Sequence, residues 1–372
     1  MLNDTLMIAN ASGNTFTLSG GITSTGAGRN LTLNANGAGA ITLSTGVVNN
    51  AGTITNSGSS GLVTISAVIG SNVTNITQNS AGSTLVISGV NNAAGGFGGT
   101  GATGTVTVTA GTLKSNQTAI GAANAVTVNG GTLDLTSAGN DISILSLSDG
   151  GVTAGSAVLN TSASARNLFL KGAATTTFGG VISGKLTVYA QGTTSLTLTN
   201  ANTNVGGVAV DSGATITTTN LQGLGDVPST PTGKQNLFNS GTIRLLNDGT
   251  GSNGTIIFGS PSSPAGYSFQ LGNNSFLTIG NNGANTGNTV QLGTINETTT
   301  GRGLTVNTSS GYKLSLAQIT GSVAYTGTSP STTTYTSAAD LTIGGISNYQ
   351  VTNTGPRSIR FSGVGIPRSR VR

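Results

Sequence analysis

What most constrains this chain is a very short alternation that recurs from one end to the other. It appears as Thr15-Phe16-Thr17-Leu18, Leu31-Thr32-Leu33, Ile41-Thr42-Leu43, Val106-Thr107-Val108, Val126-Thr127-Val128, Leu133-Asp134-Leu135 and Leu196-Thr197-Leu198. A period of two places apolar side chains on one face of an extended segment and Thr or Ser on the other. No segment has a helical period. Between the alternations lie clusters such as Asn34-Ala35-Asn36-Gly37 and Gly280-Asn281-Asn282-Gly283, which read as turns because Gly and Asn tolerate positive φ.

The alternations are organised at a longer interval. Gly111-Thr112-Leu113 returns as Gly131-Thr132-Leu133, 20 residues (131 − 111) further on, about the length of one solenoid coil. A chain of 372 residues exceeds what one globular core supports, whereas a solenoid escapes that limit because each coil packs only on its neighbours. Disorder is excluded by the abundance of Val, Ile, Leu and Thr and by the presence of only 7 Pro, since disordered chains are poor in β-branched residues.

A larger echo runs from Ile87-Ser88-Gly89-Val90-Asn91-Asn92 into Val106-Thr107-Val108-Thr109-Ala110-Gly111, then Ile120-Gly121 and Gly131-Thr132-Leu133-Asp134-Leu135. Its counterpart runs from Leu198-Thr199-Asn200-Ala201-Asn202-Thr203 into Val208-Ala209-Val210-Asp211-Ser212-Gly213, then Leu224-Gly225 and Gly241-Thr242-Ile243-Arg244-Leu245. These modules, at 85–135 and 196–245, resemble the autotransporter-associated β-strand repeat of bacterial surface proteins. The resemblance implies a right-handed parallel β-helix passenger carried to the outer surface of a Gram-negative cell, with the translocating barrel outside this chain, and it carries no catalytic residues. The second module has gained a loop near 226–235, Asp226-Val227-Pro228-Ser229-Thr230-Pro231-Thr232-Gly233-Lys234, and another insertion follows near 260–266, around Ser260-Pro261-Ser262-Ser263-Pro264. Insertions in solenoids often gather on one functional face.

Charge is scarce, 6% of residues, with a formal net of +5. Five of the 14 basic residues, Arg357, Arg360, Arg368, Arg370 and Arg372, lie in the last 16 positions, which leaves 9 basic against 9 acidic residues in 1–356. The body is therefore neutral and no nucleic-acid partner is expected. The basic stretch 356–372, with Pro356 and Pro367, reads as a disordered tail following a solenoid over 1–355. No apolar run is long enough to cross a bilayer as a helix, so no membrane insertion by this segment is expected, and Met1-Leu2-Asn3-Asp4-Thr5 lacks the pattern of a signal peptide.

Motifs that could carry chemistry do not fit this architecture. Gly96-Phe97-Gly98-Gly99-Thr100-Gly101 spells a dinucleotide fingerprint, but a strand and not a helix follows. Gly179 to Lys185 spells most of a phosphate-binding loop, but Leu186 replaces the magnesium hydroxyl, so the span reads as a turn with one solvated lysine. The calcium nonapeptide pattern fails at Thr100 in Gly95-Gly96-Phe97-Gly98-Gly99-Thr100. The chain has no Cys and no His, which removes thiolate and imidazole chemistry. Among Asp4, Asp134, Asp141, Asp149, Asp211, Asp226, Asp248, Glu297 and Asp340, only Asp134, Asp141 and Asp149 lie close enough in sequence for paired-carboxylate hydrolysis. Beside Gly and Asn, they read as solvated turn residues.

Thr-x-Thr pairs, Thr15/Thr17, Thr53/Thr55, Thr105/Thr107 and Thr197/Thr199, suggest a flat ice-binding face. They do not share one coil position by counting, so an ice-binding solenoid ranks low. The expected molecule is an all-β parallel β-helix with a core of Val, Ile and Leu and occasional Phe such as Phe16 and Phe258. Its expected function is that of an extracellular structural or adhesive rod with no catalytic, cofactor or metal site. Its partners would be host or matrix surfaces, glycans or like chains, and a polysaccharide lyase or hydrolase on the same fold is the alternative.

Overall fold

The computed structural model describes residues 2–24, 26–89, 97, 104–115, 119–136, 141–211, 213–232, 235–298 and 304–321, together with the backbone of 335–337, 341–343 and 359–361. Every regular element among the described residues is a β-strand, stacked in parallel on a strand of the next coil. The protein is a β-solenoid of about 12 turns, and it divides into two compact units, Met1–Leu186 and Thr187–Arg372.

In the first unit, one sheet runs through Leu6–Asn10, Leu31–Ala35, Gly52–Asn56, Val73–Asn79, Thr105–Ala110, Ala125–Val128 and Ser146–Ser148. A second runs through Phe16–Leu18, Ile41–Leu43, Leu62–Ile65, Thr84–Ile87, Thr112–Ser115, Thr132–Asp134, Ala157–Asn160 and Val181–Gly184. The 20-residue echo seen in the sequence is a real coil, because Thr112 pairs with Thr132 and Leu113 with Leu133. Behind the first sheet, Leu31, Ile54, Ile76, Val106, Val126 and Leu147 stack in one column, each at most 1% exposed.

In the second unit, one sheet includes Val208–Asp211, Leu237–Asn239, Phe269–Leu271, Thr289–Glu297 and Lys313–Gly321. Another stacks Ser195–Leu198, Thr215–Thr218, Thr242–Leu246, Ser275–Gly280 and Leu304–Thr308. Its core is more aromatic than alternation suggests, with Phe238 and Phe269 ring centroids 5.1 Å apart and Tyr267 edge-on to Phe269. Phe258 is buried as expected, but Phe16 is 44% exposed. Phe16 lies on the end strand of its sheet, and among the described residues it pairs with Ile41 on one side.

Buried asparagines close the coil corners. Asn10 and Asn160 build the same five-residue turn. In each, Oδ1 accepts from the backbone N–H and the hydroxyl of the serine two residues on, and Nδ2 donates to the carbonyl four residues on. A second Nδ2 bond reaches a carbonyl of the adjacent coil, at 3.0 Å to Ala40 and at 2.8 Å to Lys185. A side-chain amide with two donors and an acceptor satisfies at once the turn and the coil stacked on it.

Of the stretch 356–372, only Ile359–Phe361 lies within the described residues, as a strand paired with Leu341–Ile343.

Candidate functional site: two loops inserted in the second unit

The three neighbouring aspartates are held apart in structure. Asp134 ends a strand of the second sheet, Asp149 follows Ser146–Ser148 of the first, and Asp141 precedes Ile142–Ile144, which pairs with Arg166–Leu170. Each carboxylate has its own donors. Asp134 accepts from Thr136 N–H at 2.8 Å and lies 3.6 Å from the Lys114 ammonium. Asp141 takes Asn167 N–H and Nδ2, both at 2.8 Å. Asp149 takes Gly151 N–H at 2.9 Å and Gly179 N–H at 2.6 Å. The expectation of solvated turn carboxylates needs correction, because Asp134 and Asp149 are buried and cap backbone donors within the stack.

The phosphate-loop letters are also placed differently from expectation. Val181–Gly184 is a strand of the second sheet and not a turn. A Cβ added at Gly184, whose φ is +78°, would sit 1.9 Å from the Asn160 carbonyl oxygen. The space a phosphate would need is filled by the neighbouring coil. Lys185 Nζ donates to the Ala163 carbonyl at 2.9 Å. Of the Gly95–Gly101 motifs, only Phe97 lies within the described residues, buried, with its carbonyl accepting from Asn124 Nδ2 at 2.9 Å.

What the structure does bring together is the pair of inserted loops. Asp226, at the start of the first, accepts from Ser262 N–H of the second at 2.9 Å. Ser263 Oγ donates to the Val227 carbonyl at 2.5 Å, and the buried Tyr267 hydroxyl donates to the Gly225 carbonyl at 2.6 Å. Burial pushes the Asp226 carboxyl up, but the hydrogen bonds from Ser262 and Ser260 outweigh it and leave it below its ordinary 3.8. Burial, with the Asp226 charge adding to it, raises the Tyr267 phenol well above its usual range. Gly233 and Lys234 lie outside the described residues.

Beside these loops is an open cavity of about 400 Å³ whose lining includes Asn220, Leu221, Gln222, Ile257, Pro261 and Pro264. Its floor is apolar and exposed, with Leu221 at 42% and Ile257 at 38%. The polar rim is fixed, since Asn220 Oδ1 accepts from Gln222 N–H at 2.9 Å and Gln222 Nε2 donates to the Asn202 carbonyl at 3.0 Å. Among the described residues no charged side chain lines the cavity, so it suits uncharged ligands held by apolar contact and a few amides. Sequence reading missed Leu221 and Ile257. The available signal was Ile256-Ile257, where two consecutive apolar residues break the alternation and send one of them outward.

The Thr pairs are distributed over several sheets, yet two of the four share a register. Thr53/Thr55 and Thr105/Thr107 lie on the first sheet of the first unit, with Thr55 and Thr107 both aligned on Thr77. The expectation that no coil position is kept is thus corrected for that sheet. Coils of unequal length, 22 residues from Thr55 to Thr77 (77 − 55) and 30 from Thr77 to Thr107 (107 − 77), conceal that alignment in the sequence.

No family model, curated protein or solved structure matches the chain.

Proposed function

We propose that this chain is a non-enzymatic structural and adhesive β-solenoid of a bacterial cell surface, of autotransporter-passenger type, whose inserted loops meet the ligand. The observation that carries this reading is the loop pair itself. Two insertions 36 residues apart in sequence are joined by hydrogen bonds through Asp226, Val227, Ser262 and Ser263, and the second of them, through Ser260, Pro261 and Pro264, lines a cavity with the exposed Leu221 and Ile257 in which no described residue is charged. A site of that composition recognises by shape and weak polar contact. The carboxylates of Asp134, Asp141, Asp149 and Asp226 are each engaged by backbone N–H groups, which supports capping roles over acid–base work.

The test displays the full chain on beads and measures capture by extracellular-matrix proteins and neutral glycans, beside a reducing-sugar assay on a polysaccharide panel. Leu221→Asp combined with Ile257→Asp is expected to lower capture about tenfold, or ~1.4 kcal/mol, with the β-sheet circular dichroism unchanged. Turnover of a polysaccharide that disappears in D134A, D141A or D149A would instead establish the lyase or hydrolase alternative.

A further inference from the structure

The first sheet of the first unit carries an aligned column of hydroxyls on its outer face. Met7 pairs with Thr32, Thr32 with Thr55, Thr55 with Thr77, Thr77 with Thr107, Thr107 with Thr127, and Thr127 with Ser148. Five threonines and a serine therefore occupy one position on six successive coils, all half-exposed. A second, shorter column two residues earlier holds Thr53, Asn75 and Thr105. The register shifts in these strands fall before Thr53 and after Val108, outside both columns.

Three further observations bear on what such a face can hold. The seven strands of this sheet contain no Asp, Glu, Lys or Arg and no aromatic residue. The inward column directly behind, Leu31 to Leu147, is fully packed, which holds the backbone at its lattice spacing. The hydroxyls are also tied to one another. Thr77 Oγ1 donates to Asn75 Oδ1 at 2.6 Å, Asn75 Nδ2 donates to Thr105 Oγ1, and Thr127 and Ser148 hydroxyls lie 3.1 Å apart.

We propose that this face binds ice. Parallel stacking repeats the hydroxyls about every 4.8 Å across the coils and about every 6.7 Å along a strand, close to the two oxygen repeats on a prism face of hexagonal ice. Threonine supplies a methyl and a hydroxyl in a stiff β-branched side chain, so the array is pre-organised and binding does not have to order it. An uncharged surface leaves the first water layer free to take the spacing of the hydroxyls in place of tight shells around ions. The lack of any aromatic platform on these strands disfavours a crystalline polysaccharide as the occupant, since sugar rings are held chiefly by stacking on such platforms.

The experiment freezes the full-length chain slowly onto a cold finger and compares its concentration in ice and in the remaining liquid, alongside thermal hysteresis in a nanolitre osmometer. Wild type is expected to be enriched in the ice several-fold over serum albumin. T77K, in mid-column, is expected to fall to the albumin level with its melt unchanged. T197K, an outward threonine in the second unit, is expected to behave as wild type. T107K, one coil along, carries the same test should T77K fail to fold. Exclusion of wild type from ice, equal loss in T77K and T197K, or binding to microcrystalline cellulose in place of ice would each overturn the proposal.

Discussion

At the scale of single residues, this protein is held by polar side chains that complete backbone hydrogen bonding where the strands stop. Tyr267 is the sharpest case. It is fully buried, and its hydroxyl satisfies the Gly225 carbonyl at the base of an inserted loop. Tyr267→Phe keeps the ring against Phe269 but leaves a buried acceptor unpaired, which costs about 1–3 kcal/mol. Thermal unfolding is expected to show that loss, and an unchanged melting temperature would mean that water replaces the hydroxyl. Such roles were not legible in the sequence. An isolated Tyr just after a Ser- and Pro-rich insertion carries no periodic signal, and neither do Asn10 and Asn160, whose turns are local but whose second Nδ2 bond is made to a carbonyl of the adjacent coil.

At the scale of elements, the alternating segments became strands nearly where the period placed them. Leu31–Ala35, Ile41–Leu43 and Ala125–Val128 bury every second residue, and Thr105–Ala110 does so through Val108. Alternation is a local property of the chain, so it survives into any fold that buries one face. The phosphate-loop letters show the limit of such reading. Whether Gly184 opens onto solvent or onto Asn160 depends on the previous coil and not on its own neighbours. Gly184→Ala would force a Cβ onto the Asn160 carbonyl at a positive φ, and is expected to destabilise the first unit by about 1–3 kcal/mol. Urea denaturation measures this, and a midpoint equal to that of wild type would mean that the corner shifts freely.

At the scale of the whole molecule, charge is so sparse that pH should act only at its extremes. The chain has no His and no Cys, the side chains that ordinarily titrate near neutrality. Asp248 is the clearest acid-sensitive group. Desolvation pushes it up, but the backbone N–H groups of Asn285, Ala284, Gly283 and Asn282, at 2.7 to 3.3 Å, outweigh that and hold it below 3.8. A lowered folded value contributes stability above the unfolded value, which is lost as pH falls through the folded one. For Tyr267, burial raises the folded value above 10.0, so its contribution is present below that pH and is lost as pH rises beyond it. The melting temperature is therefore expected to be level between about pH 5 and about pH 9 and to fall on either side. Asp248→Asn is expected to lower it at neutral pH and to flatten the acid limb. A steep slope near neutrality would show that some other group governs stability.

The sequence by itself determined that the chain is all-β, that its strands bury one face, and that a coil of about 20 residues repeats, because period-two alternation, Gly and Asn turns and Gly-Thr-Leu recurrence are all local patterns. It did not determine which residues of different coils share a column. Coils of the first unit range from 20 residues, between Val106 and Val126, to 30, between Ile76 and Val106, and the extra length lies outside the alternating segments, so their local pattern does not record it. Only the hydrogen-bonded stack aligns Thr32, Thr55, Thr77, Thr107 and Thr127, joins the two inserted loops, and separates the three aspartates. Each of these depends on register between strands, which parallel backbone pairing sets across tens of residues.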